Sequence, residues 1–430
     1  MFPKNRPSFF HFLAQARQFH ASAPRYFKSQ SPFANMYSGK PASFWIDHLQ
    51  QQEKKHKVPL SSPPPSPPLS APLPVTPIEP KPIQTSYVER YLPLASDPAL
   101  LDSYITTKGG IHLGKLMSDM DAISGVVACK HAGVTLPNDT AMQFVTASTD
   151  RIDIQTHHHH MVGIQDLKVS AHAIHVGTSS LVSQVTIETV GSNPCVMMGG
   201  TFTMVAINTA TLTPMPIPPL ALVTAQDKKI SHQVAEKGQL RRKKHRPHKV
   251  TEDKRRHLME LKSSSAQALP MHTTKMQSMF MIHPQDRNMY NILFGGMLIE
   301  KATELAEMTG CHTLQFLSTD KKKDAAAAAV TVASWDRIEF HQRTPVGAML
   351  CLTSHLLYVN PETYQICVHT TINNNNNNNN NDSKNLTSSF YFTLHTNTTH
   401  HQHTEPLKVA VPQTSHEIEL YLAGRRPIFD

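Results

Sequence analysis

Long apolar runs are missing from this 430-residue chain. Nowhere do about 18 apolar residues stand together, so no segment can cross a membrane as a helix. Cysteine is scarce: Cys129, Cys195, Cys311, Cys351 and Cys367, with no Cys-x-x-Cys among them. That argues against a disulfide framework or a zinc finger and suits a reducing compartment. Acidic residues are absent from Met1 to Ile46. Regular composition is absent too: 11 of the 32 prolines crowd into residues 59–82, and Asn373 to Asn381 is an unbroken asparagine run.

What is present is unevenly placed. The formal charge of +9 comes from two stretches. Residues 1–60 carry nine Lys/Arg against Asp47 and Glu53, and residues 226–262 carry thirteen against five acids. The remainder is net acidic by six, so the basic balance says little about a folded surface. A nucleic-acid partner is not expected, although the clusters Arg241-Arg242-Lys243-Lys244 and Lys254-Arg255-Arg256 leave a phosphate or RNA contact open beside a solvated linker or exposed helix.

In the acid-free start, Lys4, Arg6, Arg17 and Arg25 alternate with Phe9, Phe10, Phe12, Leu13 and Phe19. This is the composition of a mitochondrial transit peptide, drawn inward by the membrane potential; a disordered basic tail would look similar. Arg17-Gln18-Phe19 and Arg25-Tyr26-Phe27 are the two cleavage contexts, so the leader is expected over 1–27 and the destination is the mitochondrial matrix. Residues 28–86 read as a proline-rich disordered spacer. The asparagine run at 373–381 reads as a loop insertion. His157 to His160 are successive side chains that cannot converge on one ion from a strand, and no metal site is expected.

The rest contains a repeat. Leu113, Leu116, Met117, Met120, Ile123 and Val127 recur at helical spacing, as do Leu298, Ala302, Leu305 and Ala306 after Gly295-Gly296. The first helix is followed by Asp150-Arg151-Ile152-Asp153 and the second by Asp336-Arg337-Ile338-Glu339. Gly114 stands 36 residues before Asp150, and Gly296 stands 40 before Asp336. Alternating strands follow each, at Leu167, Val169, Ala171, Ala173 and at Tyr364, Ile366, Val368, Thr370. Thr201-Phe202-Thr203-Met204 and Tyr391-Phe392-Thr393-Leu394 close the halves. The expectation is an α+β tandem duplication, each half a long helix wrapped by an antiparallel sheet, over 87–220 and 272–430 with a basic linker at 221–271.

These motifs carry a resemblance. A Gly-Gly helix start, then Asp336-Arg337-Ile338-Glu339-Phe340 with Pro345-Val346-Gly347, resembles hotdog-fold acyl-coenzyme A thioesterases. With the leader, His283-Pro284-Gln285-Asp286-Arg287-Asn288 and Phe294-Gly295-Gly296, the chain is most similar to the mitochondrial acyl-coenzyme A thioesterase 9 group. In the first half Leu92-Pro93-Leu94, Leu113-Gly114-Lys115-Leu116, Met120-Asp121 and Val176-Gly177-Thr178-Ser179-Ser180 match it as well. The resemblance implies two tandem hotdog domains that hydrolyse a fatty acyl thioester with water. It implies no cofactor or metal, coenzyme A being part of the substrate, and a homo-oligomer.

Such chemistry needs backbone N–H groups at a helix start to hold a developing oxyanion, and a carboxylate to activate water or attack directly. Gly295 and Gly296 fit the first role; a tight turn or close helix packing would use them too. The resemblance implies an acid on the helix seven residues after the second glycine, which counted from Gly114 is Asp121, with a structural hydrogen bond as the alternative. The matching position after Gly296 is Thr303, followed by Glu304. Resemblance places the glycine turn and the acid of one site on different units, so Asp121 with Gly295-Gly296 makes one composite site and the opposite pairing is degenerate. Asn288 and Asn291 are candidates to orient water, since Ile292 stands where relatives carry Asp or Asn; Asp286 is an alternative base. His112 and Phe294 occupy matching places before the two helices. Gly177, Thr178, Ser179 and Ser180 resemble a coenzyme-A-contacting segment, although a plain turn explains them equally. A non-catalytic acyl-coenzyme A or coenzyme A binder, a hydratase on the same fold and a salt-sensitive RNA binder are the competing readings.

Overall fold

The computed structural model describes residues 79–107, 109–134, 141–155, 164–244, 268–288, 292–317, 330–359, 363–372, 385–396 and 409–424. The leader, most of the proline-rich stretch, His157 to His160, Asn291, Lys254-Arg255-Arg256 and the asparagine run lie outside them.

In chain order the first half contains β1 (Lys81–Pro82), β2 (Val88–Leu92), α1 (Pro98–Leu101), α2 (Leu113–Ala132), β3 (Met142–Thr149), β4 (Ile152–Ile154), β5 (Leu167–Val176), β6 (Ser180–Thr189), β7 (Val196–Asn208), β8 (Leu220–Ala221) and α3 (Ala225–Lys244). The second contains β9 (Ala268–Pro270), β10 (Met276–Met281), α4 (Gly295–Leu317), β11 (Val330–Phe340), β12 (Met349–Val359), β13 (Thr363–Ile372), β14 (Leu386–Thr396), β15 (Val409–Val411) and α5 (Ser415–Gly424).

One antiparallel sheet of 11 strands runs β10-β12-β13-β14-β11-β3-β7-β6-β5-β2, with β4 bridging β11 and β7. Read outward from its middle, the two sides repeat the same order of strands. The halves join where Ile338 and Glu339 pair with Thr149 and Ser148, and where Ser334 and Trp335 pair with Asp153 and Ile152. Both repeated tetrapeptides stand at this seam. In each, the leading aspartate accepts from a threonine of its closing strand: Thr201 Oγ1 to Asp150 at 3.0 Å and Thr393 Oγ1 to Asp336 at 2.7 Å.

Helices α2 and α4 pack on each other and on the strands of their own halves. Leu116, Met117, Met120, Ile123 and Val127 are fully buried on α2, and Leu298, Ile299, Ala302, Leu305 and Ala306 are buried on α4. A helix covered by a sheet on one side and a second helix on the other must be apolar nearly all round. This explains why Ser118, Asp119, Asp121 and Ser124 of α2 are buried as well. Gly133 ends α2 in the left-handed region, at φ +81°.

Two boundaries and the content of the linker differ from expectation. The fold takes in β1 and a 3₁₀ turn at Ile83–Ser86, so the spacer does not reach residue 86. Ser86 is buried, donating to the Ile83 carbonyl and accepting from Ala173 N–H. Its proline-rich setting concealed this anchoring serine. The linker contains the 20-residue helix α3, which leans on β5 through buried Ser231, bonded to His175. Its end at residue 271 also runs too far, because β9 pairs with β15 from Ala268 onward. On β13 the expected alternation is obscured, since Gln365 and Cys367 are buried beside Tyr364, Ile366 and Val368. Helix α5 covers the second face of that strand.

Candidate active site

Asp121 stands on α2 two turns past its start and is only 3% exposed. Its Oδ1 accepts from Thr146 Oγ1 of β3 at 2.6 Å, and the backbone N–H of Gly296 also donates to the carboxylate. Burial pushes the Asp121 carboxyl up to about 6, with the Thr146 and Gly296 hydrogen bonds acting against that rise.

The two glycines permit this approach in different ways. A Cβ on Gly295 would stand 3.0 Å from Asp121 Oδ2 and 3.3 Å from Phe340 Cζ. A Cβ on Gly296 would stand 2.5 Å from Phe294 Cζ and 2.8 Å from the Ser118 carbonyl of α2. Gly295 therefore leaves room for the carboxylate, and Gly296 lets the two helices touch. Of the pair, Gly295 lines a cavity of about 310 Å³ together with Asp121, Thr146, Asn288 and Phe340. Most of its wall is apolar, including Phe144, Met204, Ile292 and Leu298.

Asn288 is 8% exposed at this wall, and its Oδ1 accepts from Ile292 N–H at 3.4 Å. Asp286 is used locally: its Oδ2 accepts from His283 N–H at 2.8 Å to cap the turn Pro284–Asp286, and it is outside the lining. Gly177, Thr178, Ser179 and Ser180 form the β5–β6 turn, closed by Gly177 N–H to the Ser180 carbonyl at 2.7 Å. They are not in the cavity wall. Ser180 pairs with Val205, which is, so the turn stands one strand away.

At the symmetry-related helix start, α2 and α4 approach closely around Gly114 and Thr303. A Cβ on Gly114 would meet Thr303 Cβ at 3.2 Å and Glu300 Cα at 3.3 Å. Thr303 Oγ1 donates to the Ile299 carbonyl at 2.7 Å and accepts from Trp335 Nε1 at 3.0 Å, with Trp335 fully buried. His112 caps α2 by accepting from Lys115 N–H, and its Nε2 lies 3.4 Å from Glu304 Oε1. The Glu304 hydrogen bond raises the His112 pKa despite burial. His112, Glu300 and Glu304 form the one metal-compatible trio among the described residues, but Lys115 and Lys301 already pair with its acids.

Reasoning from sequence missed Thr146, Phe340 and the pair Gln143–Arg343. Thr146 and Arg343 reach the cavity, and Gln143 reaches Arg343, through strand register or from the other half, while Phe340 stands in the Asp336–Phe340 motif without having been given a role.

No family model matches the chain. It is 25% identical over 368 residues to acyl-coenzyme A thioesterase 9, mitochondrial, of Homo sapiens, covering 81% of this chain and 78% of that protein. It is 25% identical over 405 residues to acyl-coenzyme A thioesterase 10, mitochondrial, of Mus musculus, covering 90% and 84%. Solved structures with a similar arrangement include an apo-hexameric acyl-CoA thioesterase, at 21% identity, TM-score 0.33, and 39% and 99% coverage of the two chains. Another is an acyl-ACP thioesterase from Bacteroides thetaiotaomicron, at 9% identity, TM-score 0.41, and 72% and 98% coverage. With scores this low, the fold rests on the chain's own topology. By sequence, over most of its length, the chain is a relative of the mitochondrial acyl-coenzyme A thioesterases 9 and 10, the group its motifs resemble.

Proposed function

We propose that this protein is a thioester hydrolase that converts fatty acyl-coenzyme A to free fatty acid and coenzyme A in the mitochondrial matrix. Each half is a hotdog unit, and one reaction site is composed from both. The observation that carries the reading is the buried Asp121 carboxylate of the first half set against Gly295-Gly296 at the start of α4 in the second.

Asp121 acts as general base. A value near 6 keeps it ionised above that pH yet basic enough to take a proton from water. The water oxygen bonds to the thioester carbonyl carbon, and the carbonyl π pair moves onto oxygen. With the Gly296 N–H engaged by Asp121, the Gly295 N–H and the positive end of α4 face the oxyanion. Collapse re-forms the carbonyl and breaks the carbon–sulfur bond, and the proton on Asp121 passes to the departing sulfur. Asn288 orients the water, and the apolar wall receives the acyl chain. The mitochondrial relatives and the acid-free leader support the location.

A single turnover of acyl-coenzyme A in ¹⁸O-water tests this. Label in the released acid supports water attack assisted by Asp121, whereas label in Asp121 itself means direct attack through an anhydride. Folded protein that binds coenzyme A and releases none would overturn the reading in favour of a binding role.

A further inference from the structure

The cavity wall contains one carboxylate, Asp121, and one arginine or lysine, Arg343. Their partners stand at different positions on β3. Thr146, which holds Asp121, pairs with Met204, and Gln143, which meets Arg343, pairs with Ile207. Met204 and Ile207 both line the cavity. Three residues of extended strand separate Thr146 from Gln143, about 10 Å.

Arg343 is held by a neutral group. Gln143 is 3% exposed, and with its amide oxygen facing the guanidinium it accepts from Nη1 at 3.0 Å and Nη2 at 3.1 Å. This contact crosses from the first half to the second. Among the described residues no carboxylate pairs with Arg343, so its charge is uncompensated while its plane is fixed. Among the described residues, no partner other than Gln143 is seen for its N–H donors. A planar fork of N–H groups with a full charge suits an oxyanion that accepts two parallel hydrogen bonds, and phosphate is such a group. A glutamate at 143 would have neutralised the arginine; glutamine orients it and leaves the charge for a ligand.

Resting on the hydrolase reading above, we propose that Arg343 is the substrate-binding residue that holds a phosphate of the coenzyme A portion, and that Gln143 is its positioning residue. The fatty acyl chain is uncharged and the thioester belongs at Asp121. The anion that reaches the far end of the cavity is therefore the one carried by the coenzyme A arm. Selectivity for coenzyme A thioesters over phosphate-free thioesters would then reside in this residue.

The test compares an acyl-coenzyme A with the same acyl group on pantetheine, which lacks every phosphate, using the full chain. Arg343→Met should lower kcat/KM for the coenzyme A thioester about tenfold to a hundredfold, mostly through KM, as expected for one charge-assisted contact. The ratio of kcat/KM between the two substrates should collapse by the same factor, and Arg343→Lys should recover part of it. Gln143→Leu should weaken the coenzyme A preference in the same direction. An equal loss on both substrates overturns the proposal, as does no loss on either or a loss confined to acyl groups ending in a carboxylate. Should Arg343→Met fail to fold, calorimetric binding of coenzyme A and of pantetheine to Arg343→Lys decides the matter, an unchanged ratio of affinities refuting it. A wild-type chain that hydrolyses neither thioester refutes the hydrolase reading instead.

Discussion

Replacing Asp121 by Asn should inactivate the protein and at the same time stabilise it above neutral pH. The carboxyl is buried, and its folded-state value of about 6 exceeds the ordinary 3.8. The folded state therefore binds that proton more tightly than the unfolded chain does. The stability contributed by the neutral carboxyl is fully present below about 3.8 and is lost as pH rises through about 6. That gap corresponds to about 3 kcal/mol of destabilisation once both states are ionised. Asparagine is never ionised, and its amide oxygen can still accept from Thr146. Loss of the charge-assisted quality of the two hydrogen bonds reduces the gain, so about 1–3 kcal/mol remains. Chemical denaturation of wild type and Asp121→Asn from pH 4.5 to 8.5 measures it. The variant's advantage should be largest at the alkaline end and shrink through pH 6, while turnover falls at least a hundredfold. A variant less stable than wild type at pH 8.5 would refute the reasoning, as would a stability difference independent of pH.

Four further outcomes follow from the same geometry. Gly296→Ala places a Cβ 2.8 Å from the Ser118 carbonyl, so α2 and α4 must separate; a loss of about 1–3 kcal/mol should appear in thermal unfolding. Gly295→Ala meets chiefly the Asp121 carboxylate and Phe340, and should lower kcat far more than it lowers the melting temperature. Thr146→Val removes a hydrogen bond that holds the Asp121 value down, so the acid limb of the kcat/KM–pH profile should move to higher pH. Glu304→Gln, in the symmetry-related crevice, should leave kcat/KM within about twofold, because a half-exposed ion pair there contributes about 1 kcal/mol or less.

The repeat was legible because duplicated motifs, Gly114 to Asp150 and Gly296 to Asp336, print the same helix-then-strand order twice. The meeting of Asp121 with Gly295 was implied by the resemblance, which places the acid and the glycine turn of one site on different units. What the chain's linear pattern does not carry is register. Thr146 reaches Asp121, and Gln143 reaches Arg343, only once β3 has paired with β7 and β11. The different duties of Gly295 and Gly296 depend on which one faces α2, a matter of rotation about the helix axis. Ser86 was hidden by its proline-rich surroundings. The Gly177–Ser180 turn, which resembles a coenzyme-A-contacting segment and which a plain turn explains equally, stands a strand away from the cavity. The Trp335 indole donates to Thr303, a pairing that could not be assigned from spacing.

The most direct test of a single composite hydrolase site is coenzyme A release, followed with a thiol reagent, from short, medium and long saturated acyl-coenzyme A. Wild type, Asp121→Asn and Thr303→Val chains should be compared at pH 8. The account predicts release by wild type and Thr303→Val and at least a hundredfold less by Asp121→Asn, since the proposed site pairs the Asp121 carboxylate with Gly295 and makes no use of Thr303. Near-normal release by folded Asp121→Asn, or equal losses in both variants, would contradict it.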